Sequence, residues 1–237
     1  MLDFVWKGVS ARSLGLYVTE MPPVQTGSAR DESYVIPYRD GVLHVQDGTR
    51  DPLIKRVSLY LPYEQGISVA AIRAVMEWLR GRGRVSFSDD PGHEYDAVIV
   101  NGIDYNAWVQ AFDDRVCEVY FDCEPQAYLS NVGDITVTSS GTVIRNPGAG
   151  TAKPLLAVTG SGDAQITVQG QTFSLDDLDG TVYVDCRDQE AYTLSDGART
   201  AVNSQMSGEF PAIEPGACEI SWTGDVTGVA ITPRWWD

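Results

Sequence analysis

The chain has 237 residues, 43% of them hydrophobic, with 17 basic against 33 acidic side chains and a net charge of −16. That is length and apolar content enough for one large core or two ordinary ones. The shortage of Lys and Arg excludes nonspecific nucleic-acid binding and attraction to an anionic membrane surface. No run approaches the roughly 20 apolar residues of a membrane span.

The opening, MLDFVWKGVSA, lacks the basic start and unbroken apolar block of a signal peptide, so cytoplasmic synthesis and assembly are expected. A first strand is predicted over 4–9, a turn over 10–15 and a second strand over 16–19, ended by Met21-Pro22-Pro23. Residues 24–33 are polar and read as an exposed loop or hairpin arm. YVIPYRDGVLHV then carries a strand, a turn at Arg39-Asp40-Gly41 and a further strand. Alternation over 57–61 predicts another. The helix follows over 68–80, with Ser68 as N-cap and Val69, Ile72, Met76 and Leu79 as its apolar stripe; Gly81 and Gly83 stop it. Val85 and Phe87 alternate with polar residues, an acidic loop runs through Asp89, Asp90, His93 and Glu94, and a strand is expected over 95–100. A strand over 116–121 closes this half.

After Tyr128 the texture changes. Residues 131–237 show no helical period but short alternating runs: 135–137, 155–158, 164–168, 171–175, 182–185, 217–222 and 229–233. Close spacing with Gly, Asn and Asp turns predicts an antiparallel sandwich. The fold class is mainly β with one helix, in two domains, 1–130 and 131–237.

Little in the chain suggests chemistry. Asp89 and Asp90 are adjacent, so in extended backbone they point to opposite faces and converge poorly as an acid/base pair; Ser-Asp-Asp-Pro-Gly is also a natural turn that water can solvate. His93 and Glu94 beside them do not complete a zinc set. His44 reads as a surface or pairing residue. Asp176, Asp177 and Asp179 before Gly180 lack the further ligands of a calcium loop and read as a solvated hairpin loop. With two histidines and no nucleophile elbow, a Ser-His-Asp hydrolase is not supported. Cys117, Cys123, Cys186 and Cys218 follow no metal spacing. Cys117 and Cys123 lie about 20 Å apart on one extended strand, too far for a disulfide, and all four read as small buried thiols. Trp222, Trp235 and Trp236 could stack sugar rings, but core packing or an intersubunit contact is the plainer reading. No catalytic, cofactor-binding or metal-binding residue is nominated.

The order of motifs resembles the Dit family, the distal tail proteins of siphophage tail tips. The carriers in the first half are Phe4-Val5-Trp6-Lys7-Gly8, Ser13-Leu14-Gly15-Leu16, Arg39-Asp40-Gly41, Trp78-Leu79, Phe87-Ser88-Asp89-Asp90-Pro91 and Phe121-Asp122-Cys123-Glu124-Pro125-Gln126-Ala127-Tyr128. In the second half they are Asn146-Pro147-Gly148, Lys153-Pro154-Leu155, Val184-Asp185, Tyr192, Phe210-Pro211 and Pro215-Gly216, with Ala217-Cys218 where relatives often carry Asn. The resemblance implies a ring-forming N-terminal domain followed by a galectin-like β-sandwich. It implies a structural virion protein without cofactor or metal: a homo-hexamer joining the tail tube protein to the tail-fibre hub and receptor-binding proteins at the tail tip. A carbohydrate-binding module for host attachment is the alternative, and a cell-wall hydrolase the least supported reading.

Overall fold

The computed structural model describes residues 1–60, 69–102 and 116–237, without the side chains of Asp47, Val69 and Val116. The expected N-cap at Ser68, the stripe position of Val69 and the end of the strand at Leu61 lie outside that description. The chain divides into two units, Met1–Ala127 and Tyr128–Asp237.

The first unit contains β1 (Phe4–Trp6), β2 (Val9–Ser10), a 3-10 turn (Ala11–Leu14), β3 (Tyr17–Glu20), β4 (Ala29–Tyr34), β5 (Leu43–Arg50), β6 (Leu53–Tyr60), α1 (Val69–Trp78), β7 (Arg82–Phe87), β8 (His93–Ile99) and β9 (Val116–Cys123). The strand expected over 4–9 is instead a hairpin. Lys7 and Gly8 take φ of 50° and 78°, and Trp6 pairs with Val9 across them. Positive φ at both central residues is the two-residue turn whose twist matches paired strands. Seven strands then follow the order β2-β1-β7-β8-β9-β6-β3. Its two ends, β2 and β3, are joined only by the compact turn through Gly15, where Leu16 N–H bonds to Ala11 C=O at 3.1 Å. A flat path of seven strands at ~4.8 Å spacing would hold those ends about 29 Å apart. The linking residues reach at most about 25 Å even fully extended. The sheet must therefore curl.

Inside the curl Phe121 meets the rings of Phe4, Trp6 and Phe87 edge-on, with centroids at 5.5, 5.3 and 5.9 Å. Helix α1 adds Ile72, Val75 and Leu79 to this core. Met76 is only partly buried and Val75 takes the central place; 72, 75 and 79 and 72, 76 and 79 both fit helical spacing, and the packing against the sheet selects the first set. Trp78 stacks on Phe4 at 5.7 Å, and the indoles of Trp6 and Trp78 each donate to the other residue's carbonyl, at 2.9 and 3.2 Å. Gly81, at φ 73°, ends the helix. Gly83 does not; it lies in β7, where a Cβ would sit 2.6 Å from Lys7 Cγ and 3.3 Å from the Trp6 ring.

Strands β4 and β5 form a separate two-stranded ribbon, Tyr34 opposite Leu43 and Ser33 opposite His44. The strand expected to start YVIPYRDG is the connecting loop, in which Tyr38 and Gly41 take φ of 65° and 85°.

The second unit contains β10 (Tyr128–Leu129), β11 (Ile135–Val137), β12 (Thr142–Asn146), β13 (Leu155–Val168), β14 (Gln171–Asp185), β15 (Glu190–Ser195), β16 (Ala198–Ala201), a 3-10 turn (Asn203–Gln205), β17 (Met206–Gly208) and β18 (Gly216–Thr232). The order is β11-β18-β13-β14-β15-β16, with β12 also on β18 and β17 on β14. Three pairs of expected short strands are each one long bent strand: 155–158 with 164–168, 171–175 with 182–185, and 217–222 with 229–233. The polar residues between each pair mark bulges, not turns; register slips at Gly162/Ala164 between β13 and β14, and twice between β13 and β18. Because each strand bends, its two halves serve two faces of one core. Ile166, Phe173 and Ile220 from one half share it with Val158, Val184 and Ile231 from the other.

Segment 209–215 contains two prolines and cannot pair as a regular strand. A single antiparallel bridge pairs Ile213 with Ala152, at 2.9 Å in both directions, and side chains satisfy further backbone groups. Gln171 donates to Ala212 C=O and accepts from Ala212 N–H, Gln169 accepts from Glu214 N–H, and buried Asn146 donates to Ile213 C=O at 3.0 Å. Asn146 also accepts from Gly148 N–H, which explains the Asn-Pro-Gly motif as a buried amide clamp.

Candidate assembly surface

The acidic loop of the first unit is more ordered than its sequence suggests. Asp90 was expected to be solvated; its side chain is only 12% exposed, lies 2.8 Å from His93 Nδ1 and accepts from the Tyr95 hydroxyl at 2.5 Å. A carboxylate taking two side-chain donors has little need of water. His93 and Glu94 lie in β8 rather than the loop, and Glu94 and Asp96 both pair with Arg84. Beneath them Lys55 is buried, its ammonium 4.4 Å from the Tyr95 ring centroid and 5.5 Å from that of Phe87. Burial lowers the lysine pKa, partly offset by Cys123, Asp90 and Asp89. The same burial, helped by the bond to Asp90, raises that of Tyr95. Strand alternation puts Lys55 on the same face as the buried Leu53, Val57 and Leu59, but it lies before the strand expected over 57–61. The cluster joins β6, β7 and β8.

Asp31, Ser33 and His44 meet on the β4–β5 ribbon. Both the Asp31 carboxylate and the Ser33 hydroxyl approach the same imidazole nitrogen, Nδ1. A proton relay needs one partner on each nitrogen, so this is a pairing cluster without triad geometry. Asp176, Asp177 and Asp179 lie at the bulge inside β14, not in a hairpin loop, and Asp177 N–H bonds to Asp163 Oδ1 at 3.1 Å. All four cysteines are free and buried. Burial pushes Cys117 and Cys218 up to about 11 and Cys123 and Cys186 up to about 12. Among the described residues, no group of three His, Cys, Asp or Glu could hold a metal.

The tryptophans of the second unit form no open platform. Trp235 is core, Trp222 packs partly buried against it, and Trp236 lies over Gly148 and Gly150 with its indole donating to Thr151 C=O at 2.9 Å. A Cβ on Gly150 would sit 2.2 Å from that indole.

The apolar surface left open lies elsewhere. In the β4–β5 ribbon Tyr34, Leu43 and Val45 share one face, and the connecting loop adds Val35, Ile36, Tyr38 and Val42; all are exposed, Val35 at 79%. Asp31, Ser33, His44 and Gln46 hold the other face. An isolated two-stranded ribbon is marginal in water, and clustered exposed apolar residues mark interaction sites. A second exposed group, Val9, Leu14 and Tyr17, lies where the ends of the curled sheet approach.

No protein-family model and no curated protein matches the chain. Among solved structures, the SPP1 Dit protein, described as a paradigm of the hub adsorption apparatus in phages infecting Gram-positive bacteria, matches with a TM-score of 0.70 at 14% identity, over 98% of each chain. The phage P2 baseplate in its activated conformation with Ca matches with a TM-score of 0.57 at 8% identity, over 98% of this chain and 97% of that one. At such identities the likeness establishes the fold, and it does so through both units in chain order.

Proposed function

We propose that this chain, with its Dit-like fold, is a structural distal tail protein of a phage or prophage. It forms a hexameric ring joining the tail tube to the baseplate or tail-tip apparatus that recognises the host. The observation that carries this reading is the match to the SPP1 Dit protein over 98% of both chains. A fragmentary likeness would fit any β domain; a two-unit likeness in order does not. The first unit builds the ring, and the second, a galectin-like sandwich, decorates its outside. The protein assembles in the host cytoplasm and works in the virion, by geometry and without catalysis.

The exposed surfaces support the assembly. A cyclic ring is closed by heterologous contacts, so each subunit must offer two different faces. The apolar face of the β4–β5 ribbon supplies one, and the group at Val9, Leu14 and Tyr17 supplies the other. The ribbon contributes nothing to its own unit's core, so it can be removed without damage. Its base is already closed by the bond from Asp51 N–H to Ser28 C=O at 2.8 Å.

The test replaces residues 30–49 by an Asn-Gly turn and measures mass by light scattering, alone and with the tail tube protein. The native chain is expected to give rings, and the shortened chain a monomer of unchanged thermal stability. A native chain that stays monomeric with tube and hub proteins added would overturn the ring.

A further inference from the structure

Bulges in the second unit open a cleft of about 460 Å³ between β13 and β18. Thr159, Gly160, Ser161, Gly224, Asp225, Val226 and Thr227 line it. The glycines explain why it is there. A Cβ on Gly160 would sit 2.4 Å from Asp225 C=O, and one on Gly224, at φ 91°, 2.3 Å from Asp163 C=O. The two strands therefore approach closely only where side chains are missing. Register slips between Thr159 and Gly160 and again between Ser161 and Gln165, and the slip leaves the hollow. Bulges of this kind recur where a sheet re-aims side chains toward a ligand.

The lining has a definite chemical character: three hydroxyls, one carboxylate, backbone amides and the single apolar side chain of Val226, with no Lys, Arg or His. An anion would find no counter-charge there, and one carboxylate is too few for a cation. Two hydroxyls are fixed. Thr159 pairs with Thr181 at 2.8 Å, and Thr227 donates to Thr159 C=O at 3.1 Å. Ser161 and Asp225 are exposed, and the structure gives their side chains no hydrogen-bond partner among the described residues. One pleat along the same sheet face, Ala157 stands opposite Tyr183, whose ring stacks on Tyr192 at 5.3 Å. Across the sheet from Tyr183 stand two small residues in succession, Ala157 and then Ala230.

We propose that this cleft binds a neutral oligosaccharide. One sugar ring sits in the cleft with vicinal hydroxyls on Asp225 and Ser161, and the next lies over Ala157 against Tyr183. A carboxylate accepts from two adjacent sugar hydroxyls as it would from any paired donors, and the aromatic ring covers the apolar face of the second sugar.

The experiment is saturation-transfer NMR on the full chain with a panel of neutral disaccharides (maltose, cellobiose, lactose and diacetylchitobiose), with sialic acid as charged control. At least one neutral disaccharide is expected to receive transfer, and the charged sugar none. Asp225→Asn and Ser161→Leu, both at exposed positions, should each weaken binding by about tenfold or more with unchanged circular dichroism. Tyr183→Ala should weaken disaccharides more than monosaccharides. Absence of transfer across the panel at concentrations on the order of 10 mM, or transfer that survives both cleft variants, overturns the proposal. Either result leaves the ring reading untouched, because assembly is measured separately.

Discussion

The second unit holds an ion pair between buried Asp185 and partly buried Arg234. Arg234 donates two parallel bonds to Asp185, at 2.7 and 2.8 Å, and Asp185 also accepts from the amides of Arg187 and Asp188. Burial pushes the Asp185 carboxyl up. The Arg234 bonds, the two amides and the guanidinium charge together outweigh it and hold the carboxyl below the usual range. A carboxylate whose folded pKa is depressed contributes stability that is present above its unfolded pKa of about 3.9 and is lost as pH falls through the folded value. Asp185→Asn should therefore flatten the acid limb of stability against pH. It should also cost roughly 3 kcal/mol at neutral pH by leaving the guanidinium without its partner. Denaturant midpoints across the acid range measure both; an unaltered midpoint at neutral pH would contradict the assignment. The thiols give a second test at this scale. With all four raised by burial, the thiolate fraction at neutral pH is negligible. A thiol reagent should label none of them in the folded chain and all four in denaturant, and fast labelling of the native protein would mean the cores open locally.

Among the elements, the helix and the ribbon behave oppositely. Helix α1 is held by its packing: at ten residues it is too short to persist alone, and Ile72, Val75 and Leu79 fix it to the sheet. Ile72→Ala should destabilise the first unit by about 2–5 kcal/mol, read as a lower unfolding midpoint. No change would place the stripe toward solvent or a partner. The β4–β5 ribbon is paired, with one register slip between Ala29 and Asp31, and contributes no residue to the core of its unit. The helix is patterned for its conformation, whereas β4 is polar and exposed along its whole length.

At the scale of the molecule, the two units have separate aromatic and aliphatic cores, one centred on Phe121 and the other on the bent strands β13, β14 and β18. Residues 128–237 contain their own core, their own clamp at Asn146 and both partners of the Arg234–Asp185 pair. Expressed alone, this segment should fold and melt in one cooperative transition. A segment with no dispersed tertiary signals in NMR would show that the first unit is needed to complete it. The negative charge is carried by both units and makes their surfaces weakly self-repelling, so the proposed ring would need local apolar contact to hold it.

The mainly β class, the one helix, the change of texture after Tyr128 and the Dit-like order of motifs were legible in the residues, because each depends on local period or on short motifs in sequence. Ile72 and Leu79 were readable as core for the same reason, and so was the turn character of Asp89 and Asp90. What was not legible depends on partners distant along the chain. Bulged strands look like two short strands with a turn, since a polar interruption reads the same whether the chain reverses or only bends. Lys55 lies outside the strand expected over 57–61, and its burial depends on Phe87 and Tyr95 from β7 and β8; Asp90 looks solvated until Tyr95 and His93 reach it. The cleft beside Asp225 exists only because Gly160 and Gly224 let two strands approach that are over sixty residues apart. Local pattern sets which element forms; only the tertiary pairing decides which polar side chains lose their water and which keep it.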